Sequence, residues 1–143
     1  MSAWDRAEAE RAFGIASRAR RRARLVCSLR GGGHPCGRLA VADGPASQTP
    51  PARPGRGVRE IPLTAITATV EPARAAQFDR DFRPAPAARA RWLRVWVAEH
   101  RGAVLPPVTV VPAGDGYAIR DGHHRVSVAK ARGAKTIDAI VAG

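Results

Sequence analysis

Lysine is almost missing from this chain: of 24 basic residues only Lys130 and Lys135 are lysines, and the rest are arginines. The difference matters because a guanidinium grips an oxyanion with a planar fork, whereas an ammonium acts as a point charge. Cysteine is scarce too, with Cys27 and Cys36 alone, and two such residues give no ground to expect a disulfide framework. No apolar run approaches the roughly 20 residues that cross a bilayer. No charged-then-apolar leader opens the sequence. A cytoplasmic protein without a membrane partner is the expectation.

Acidic residues are half as many as basic ones, 12 against 24, which leaves a formal charge of +12. A field of that sign attracts nucleic acid, nucleotides or anionic surfaces and does not choose among them. A compositional bias toward Arg and Ala would give the same excess. The length, 143 residues, suits one core with an appendage. Alanine inflates the 45% hydrophobic content, and the larger apolar side chains gather after Val58, where the core is expected.

Three regions follow from local composition. Residues 1–30 are rich in Ala, Arg and Glu, with Ser2 or Asp5 available as a cap, and read as a basic helical arm, either continuous or broken near Gly14. Its small apolar stripe is Ala12, Ala16, Ala19, Ala23 and Val26. Residues 31–57 turn to Gly, Pro, Ser and Arg and read as a flexible linker. Residues 1–57 carry 11 basic and 4 acidic side chains against 13 and 8 in 58–143, so charge is denser at the front.

Residues 58–143 read as an α+β domain with a mixed sheet. Val58 to Leu63 alternates as a strand, and Pro62 places it at an edge or an end. Ile66 to Val70 is a second strand. A helix is predicted over Ala87 to Arg101, with Pro84 and Pro86 before it, Gly102 after it, and Trp92 and Trp96 as core anchors. Val108 to Val111 and Tyr117 to Ile119 form a strand pair around the turn Ala113-Gly114-Asp115-Gly116. A short helix then ends near Gly133, and Ile137 to Val141 is the last strand.

The residues that carry chemistry are Asp121-Gly122-His123-His124-Arg125, set between a strand and a helix. Free N–H groups at a helix start, an Arg fork and two imidazoles together suit an anion. Gly122 allows close backbone approach, and Asp121 can cap the helix, orient a histidine or help to hold a metal ion. The plainer reading, a capped helix with scaffold histidines, fits the same five residues.

With Leu105-Pro106-Pro107-Val108-Thr109-Val110 ahead of it, Tyr117-Ala118-Ile119-Arg120 leading in, and Val126-Ser127-Val128-Ala129, Gly133 and Ile137-Asp138-Ala139 behind, this turn resembles the ParB/sulfiredoxin superfamily. There a strand pair leads to a Gly-x-x-Arg phosphate turn and a short helix. The resemblance spans roughly residues 58–143 and is tightest over 105–141. Sulfiredoxins place a cysteine directly after the glycine, where His123 stands here, so the nucleophile for sulfinic-acid reduction is missing. Chromosome-partitioning ParB proteins have a Gly-Glu-Arg-Arg turn that binds CTP and continue into a helix-turn-helix, so sequence-specific centromere binding is not expected.

The Asp-Gly-His-His-Arg form is closer to relatives that resemble free serine kinases. What that implies is a nucleotide, ATP, ADP or CTP with Mg²⁺, with Gly122, His123, His124 and Arg125 on the phosphates. Asp121, His123 and His124 become candidate catalytic groups, and Lys130 and Arg132 more distant electrostatic help. Phosphotransferase or nucleotide hydrolase chemistry would need a proton acceptor; Asp79 or Asp81 is the candidate base, with Glu71 and Glu99 as further options. Each of these acids could equally balance a neighbouring arginine.

The contrasting expectation is a nucleic-acid-associated regulatory protein without catalysis, in which Arg18, Arg20, Arg21, Arg22 and Arg24 contact DNA or RNA backbone. A nuclease is a third class, but no two-metal carboxylate cluster is evident. Cys27, His34 and Cys36 lack a Cys-x-x-Cys pair, so no zinc site is expected and no metal is assigned.

Overall fold

The computed structural model describes residues 2–31, 36–42 and 57–142. The chain opens with helix α1 (Ala3–Arg30), followed by strands β1 (Ala40–Val41), β2 (Arg59–Pro62) and β3 (Ile66–Thr69). After the one-turn helix α2 (Pro72–Ala75) come α3 (Arg89–His100), β4 (Val108–Ala113), β5 (Gly116–Asp121), α4 (His123–Ala131) and β6 (Thr136–Val141). The strands form one mixed sheet in the order β1-β3-β5-β4-β6-β2. Residues 58–142 thus take the α+β form expected of them.

β4 and β5 pair antiparallel through the two-residue turn Gly114-Asp115, and β6 returns parallel on the far side of β4. β2, with Pro62, lies at one edge, antiparallel to β6. Proline is tolerated there because an edge strand leaves one row of N–H groups unpaired. β3 runs parallel to β5, so the carboxyl ends of both strands point the same way. Any site at the end of β5 therefore has the end of β3 as its neighbour.

One face of the sheet carries the main core, in which Val108, Val110 and Ile119 of the strands meet Val126 and Ala129 of α4 and Phe78 and Phe82 of the connecting loop. A second cluster joins Ala9 and Phe13 of α1 to Trp92, Leu93, Trp96 and Val97 of α3 and Val128 of α4. Phe13 meets Trp92 edge-on at 5.4 Å. Trp92 also donates from Nε1 to Ser127 Oγ at 2.9 Å, and Ser127 in turn donates to the Phe82 carbonyl. The indole is thereby buried without an unpaired N–H.

Several expectations need correction. Of the two forms expected for the front of the chain the continuous one is found, since α1 is one helix of 28 residues started by a Ser2 and Asp5 capping box, and Gly14 does not interrupt it. Its buried contacts are Ala9 and Phe13, not the Ala23 and Val26 end of the predicted stripe, because Phe13 carries the apolar area that α3 covers. Arg89 to Glu10 at 2.9 Å and Arg101 to Asp5 at 2.8 Å fasten the same interface.

The linker expectation also fails over 36–42. Leu39 is buried and its amide donates to the Ala75 carbonyl, while β1 adds an edge strand parallel to β3. Cys27 and Cys36 are joined as a disulfide, which ties the end of α1 to that strand and removes both thiolates from any zinc site. His34 and the remainder of the Gly- and Pro-rich stretch, 43–56, lie outside the described residues.

Candidate functional site

β5 ends at Asp121, and Gly122 starts α4 with φ 107°. A side chain there would be strained by that angle, and a Cβ would come within 2.5 Å of Val108 Cγ1. Gly122 is thus demanded by the packing of the turn on β4 as well as by its backbone angle. No side chain caps α4, and Asp121 in particular does not. Its carboxylate is 77% exposed and pairs with Arg125 at 3.2 Å. The first N–H groups of the helix therefore keep their partial positive charge available.

These groups open onto a cleft of about 480 Å³ at the carboxyl ends of β3 and β5. His123, His124, Asp121, Gly122 and Arg125 all line it, together with Glu71, Arg74, Arg91 and Arg120. Arg91 and Val95, one turn apart on α3, form the opposite wall. Four guanidinium groups against two carboxylates give the cleft a positive field. Among the described residues Arg74, Arg91 and Arg120 make no ion pair, whereas Arg125 donates to the carbonyls of Pro106 and Pro107 and to Asp121. Arg125 is largely a brace for the loop before β4.

Both histidines are buried. His123 Nε2 lies 2.7 Å from Thr69 Oγ1, which also accepts from the Glu71 amide at 2.9 Å. The Thr69 hydroxyl links the end of β3 to the start of α4 and fixes the ring. His124 packs edge-on against Phe78 at 5.2 Å, and among the described residues no hydrogen bond reaches its imidazole. Burial, and then the Arg74 guanidinium, bring the His123 pKa down to about 4. For His124 burial again comes first, followed by Arg91 and Arg74, with the same result of about 4. At neutral pH both rings are uncharged, so they offer hydrogen bonds and a base, and the arginines supply the charge.

The other carboxylates separate cleanly. Glu71 lines the cleft. Asp79 does not: its Oδ1 accepts from the amides of Asp81 and Arg83 at 2.9 Å each, and Arg83 Nη1 approaches Oδ2 at 3.3 Å. Asp81 lines a different cleft and pairs with Arg83 at 3.1 Å. Glu99 faces Arg132 across 4.0 Å. Lys130 sits over the Phe82 ring and Arg132 over Trp96, and neither lines the cleft at the start of α4. Along α1, Arg18, Arg21, Arg22 and Arg24 are exposed, but Arg20 donates to the Gly37 carbonyl at 3.2 Å.

Sequence reasoning missed Thr69, Arg74, Arg91 and Arg120. Arg120 had a signal, since it adjoins the motif. Arg91 lies beside Trp92 on a helix whose indoles had to face inward, which turns Arg91 away from the core. Arg74 and Thr69 come from a segment about 50 residues away, and only the parallel pairing of β3 with β5 brings them in. Among the described residues no cluster of three metal-ligating side chains occurs, and no helix is long and apolar enough to cross a membrane.

No protein-family model matches the sequence, and no curated protein matches it. Among solved structures, the crystal structure of sulfiredoxin from Arabidopsis thaliana is similar, with 60% of this chain and 84% of that one covered, at 18% identity and a TM-score of 0.42. That is a weak, partial similarity of architecture.

Proposed function

We propose that the cleft at the carboxyl ends of β3 and β5 binds the phosphate chain of a nucleotide, ATP, ADP or CTP, as its Mg²⁺ complex. The observation that carries this reading is the uncapped start of α4, open to the same cleft as three arginines without an ion pair and the buried His124 ring without a hydrogen bond among the described residues. Phosphate oxygens would take the amides of the first turn, with Arg74, Arg91 and Arg120 closing over them. Mg²⁺ held mainly by phosphates needs only one or two protein carboxylates, and Glu71 and Asp121 are the two at the cleft. In a phosphotransferase or hydrolase, Glu71 replaces Asp79 and Asp81 as the acid placed to accept a proton, and neutral His124 is the second candidate.

Titration calorimetry with ATP, ADP and CTP, each with Mg²⁺, tests the binding. Saturable binding is expected in the wild type, weakened roughly ten- to a hundredfold by Arg74→Ala, the range of a lost charge-assisted hydrogen bond. Arg74 is a cleaner probe than Arg125, whose loss also frees the Pro106 and Pro107 carbonyls. Absence of binding by all three nucleotides overturns the proposal. Release of inorganic phosphate by the wild type, lost in Glu71→Gln even at saturating Mg²⁺-nucleotide, would extend it to turnover.

A second reading, backbone contact with DNA or RNA, is favoured by one observation: Arg18, Arg21, Arg22 and Arg24 are exposed and, among the described residues, form no ion pair. Deleting α1 would uncover Trp92, so charge reversal is the sounder test. Arg18→Glu with Arg22→Glu should abolish salt-sensitive binding of a duplex and leave nucleotide binding unchanged.

A further inference from the structure

A second cleft, also about 480 Å³, runs between α1 and α4 beneath the loop that carries Phe82. Ala12, Ile15 and Ala16 of α1 line one side and Phe82, Pro84 and Lys130 the other. Of the charged groups at this cleft, Asp81 and Arg83 pair with each other at 3.1 Å, and Arg83 also reaches Asp79 at 3.3 Å. Lys130 is different. Its Nζ rests 5.5 Å from the centre of the Phe82 ring, and among the described residues it has no hydrogen bond or ion pair. One of the two lysines in the chain is thus half-buried at an apolar groove without a bonded partner, the nearby carboxylates of Asp81 and Asp79 being engaged by Arg83, while Lys135 is exposed.

A cation of this kind at the wall of an apolar cleft selects an anion that carries an apolar tail. From the pairing of Asp81 and Asp79 with Arg83, which leaves Lys130 with no direct hydrogen bond or ion pair among the described residues, we infer that the second cleft binds a small aliphatic monocarboxylate, its carboxylate on Lys130 Nζ and its chain along Ala12, Ile15, Ala16 and Pro84. Ser127 takes no part, because its hydroxyl already serves Trp92 and the Phe82 carbonyl. The inference stands apart from the phosphate cleft and shares no lining residue with it. Burial lowers the Lys130 pKa, against the raising influence of Asp81 and Asp79, so a bound carboxylate should move it back up.

Acetate, butyrate and octanoate are the probes, titrated into the full chain by calorimetry. Affinity is expected to rise from acetate to octanoate, by at most about fourfold for each methylene buried. Lys130→Met, which keeps the aliphatic stem, should weaken octanoate at least tenfold. Lys135→Met removes the same charge at an exposed position and should change it less than twofold, as should Arg74→Ala in the other cleft. In the wild type, octanoate should shift the Lys130 side-chain resonances and leave those of Lys135 in place. Equal affinity for acetate and octanoate, equal effects of the two lysine substitutions, or loss of octanoate binding in Arg74→Ala would each overturn the inference.

Discussion

Two turns in this molecule place an aspartate four residues before an arginine, and both pairs close to almost the same distance, 3.3 Å for Asp79 with Arg83 and 3.2 Å for Asp121 with Arg125. Their surroundings are reversed. In the first the carboxylate is inside, 6% exposed, and saturated by two backbone amides and the guanidinium. In the second the carboxylate is 77% exposed, the arginine is the less exposed partner, and the helix that follows has no side-chain cap. One turn has used its polar groups on itself, and the other leaves N–H groups and an imidazole facing a cleft. Polar saturation, which residue type and spacing do not encode, separates a structural brace from a candidate binding site.

Substitutions can break this comparison in order of expected size. Asp79→Ala leaves two amides and a guanidinium without their acceptor, and should cost about 4 kcal/mol in urea unfolding. Asp121→Ala should stay within about 0.5 kcal/mol because its partner bond is at the surface. Equal losses would mean that the two turns do not differ in kind. Gly122→Ala forces a side chain into φ 107° and against Val108, for about 3 kcal/mol. A compensating Val108→Ala should not restore the backbone part of that loss.

Ser127→Ala sharpens the role of the first turn. It strips Trp92 Nε1 of its acceptor and the Phe82 carbonyl of its donor, and Phe82 is the described non-glycine residue held at positive φ, 60°. A loss of about 2 kcal/mol in chemical unfolding, with nucleotide affinity unchanged, is expected.

A smaller loss than those of Asp79, Gly122 and Ser127 concerns pH. His123 and His124 are held at about 4 in the fold against an ordinary 6.5, so the unfolded chain binds protons that the folded chain refuses. Their stabilising contribution is complete above pH 6.5 and is lost progressively as pH falls from 6.5 toward 4. Between pH 7.5 and 6 the decline should be of order 1 kcal/mol, reduced from the full linkage value by the open side of the cleft. His124→Gln should flatten the profile, and Mg²⁺-ATP should oppose it, because an anion favours the charged ring.

The sheet strands and α3 of residues 58–142 were legible because their signals are local: Pro62 at an edge, Gly114-Asp115 in a hairpin, Trp92 and Trp96 four residues apart. The Asp121–Arg125 turn was legible for the same reason. The disulfide, β1 and the docking of α1 were not. β1 and the docking of α1 depend on partners distant in the chain, Ala68 for Ala40 and Trp92 for Phe13, whereas Cys27 and Cys36 are nine residues apart and two cysteines alone do not signal a bond. A choice among the acids was not legible either, since Asp79 and Glu71 are equivalent as letters and differ in which hydrogen bonds already occupy them.

The most direct test of the central claim is a titration of ¹⁵N-labelled protein with Mg²⁺-ATP followed by NMR. The account predicts the largest shifts at the amides of His123, His124 and Arg125 and in the His124 ring, with the amides of Asp81 and Arg83 unmoved. Shifts confined to α1, or none at all, would contradict it.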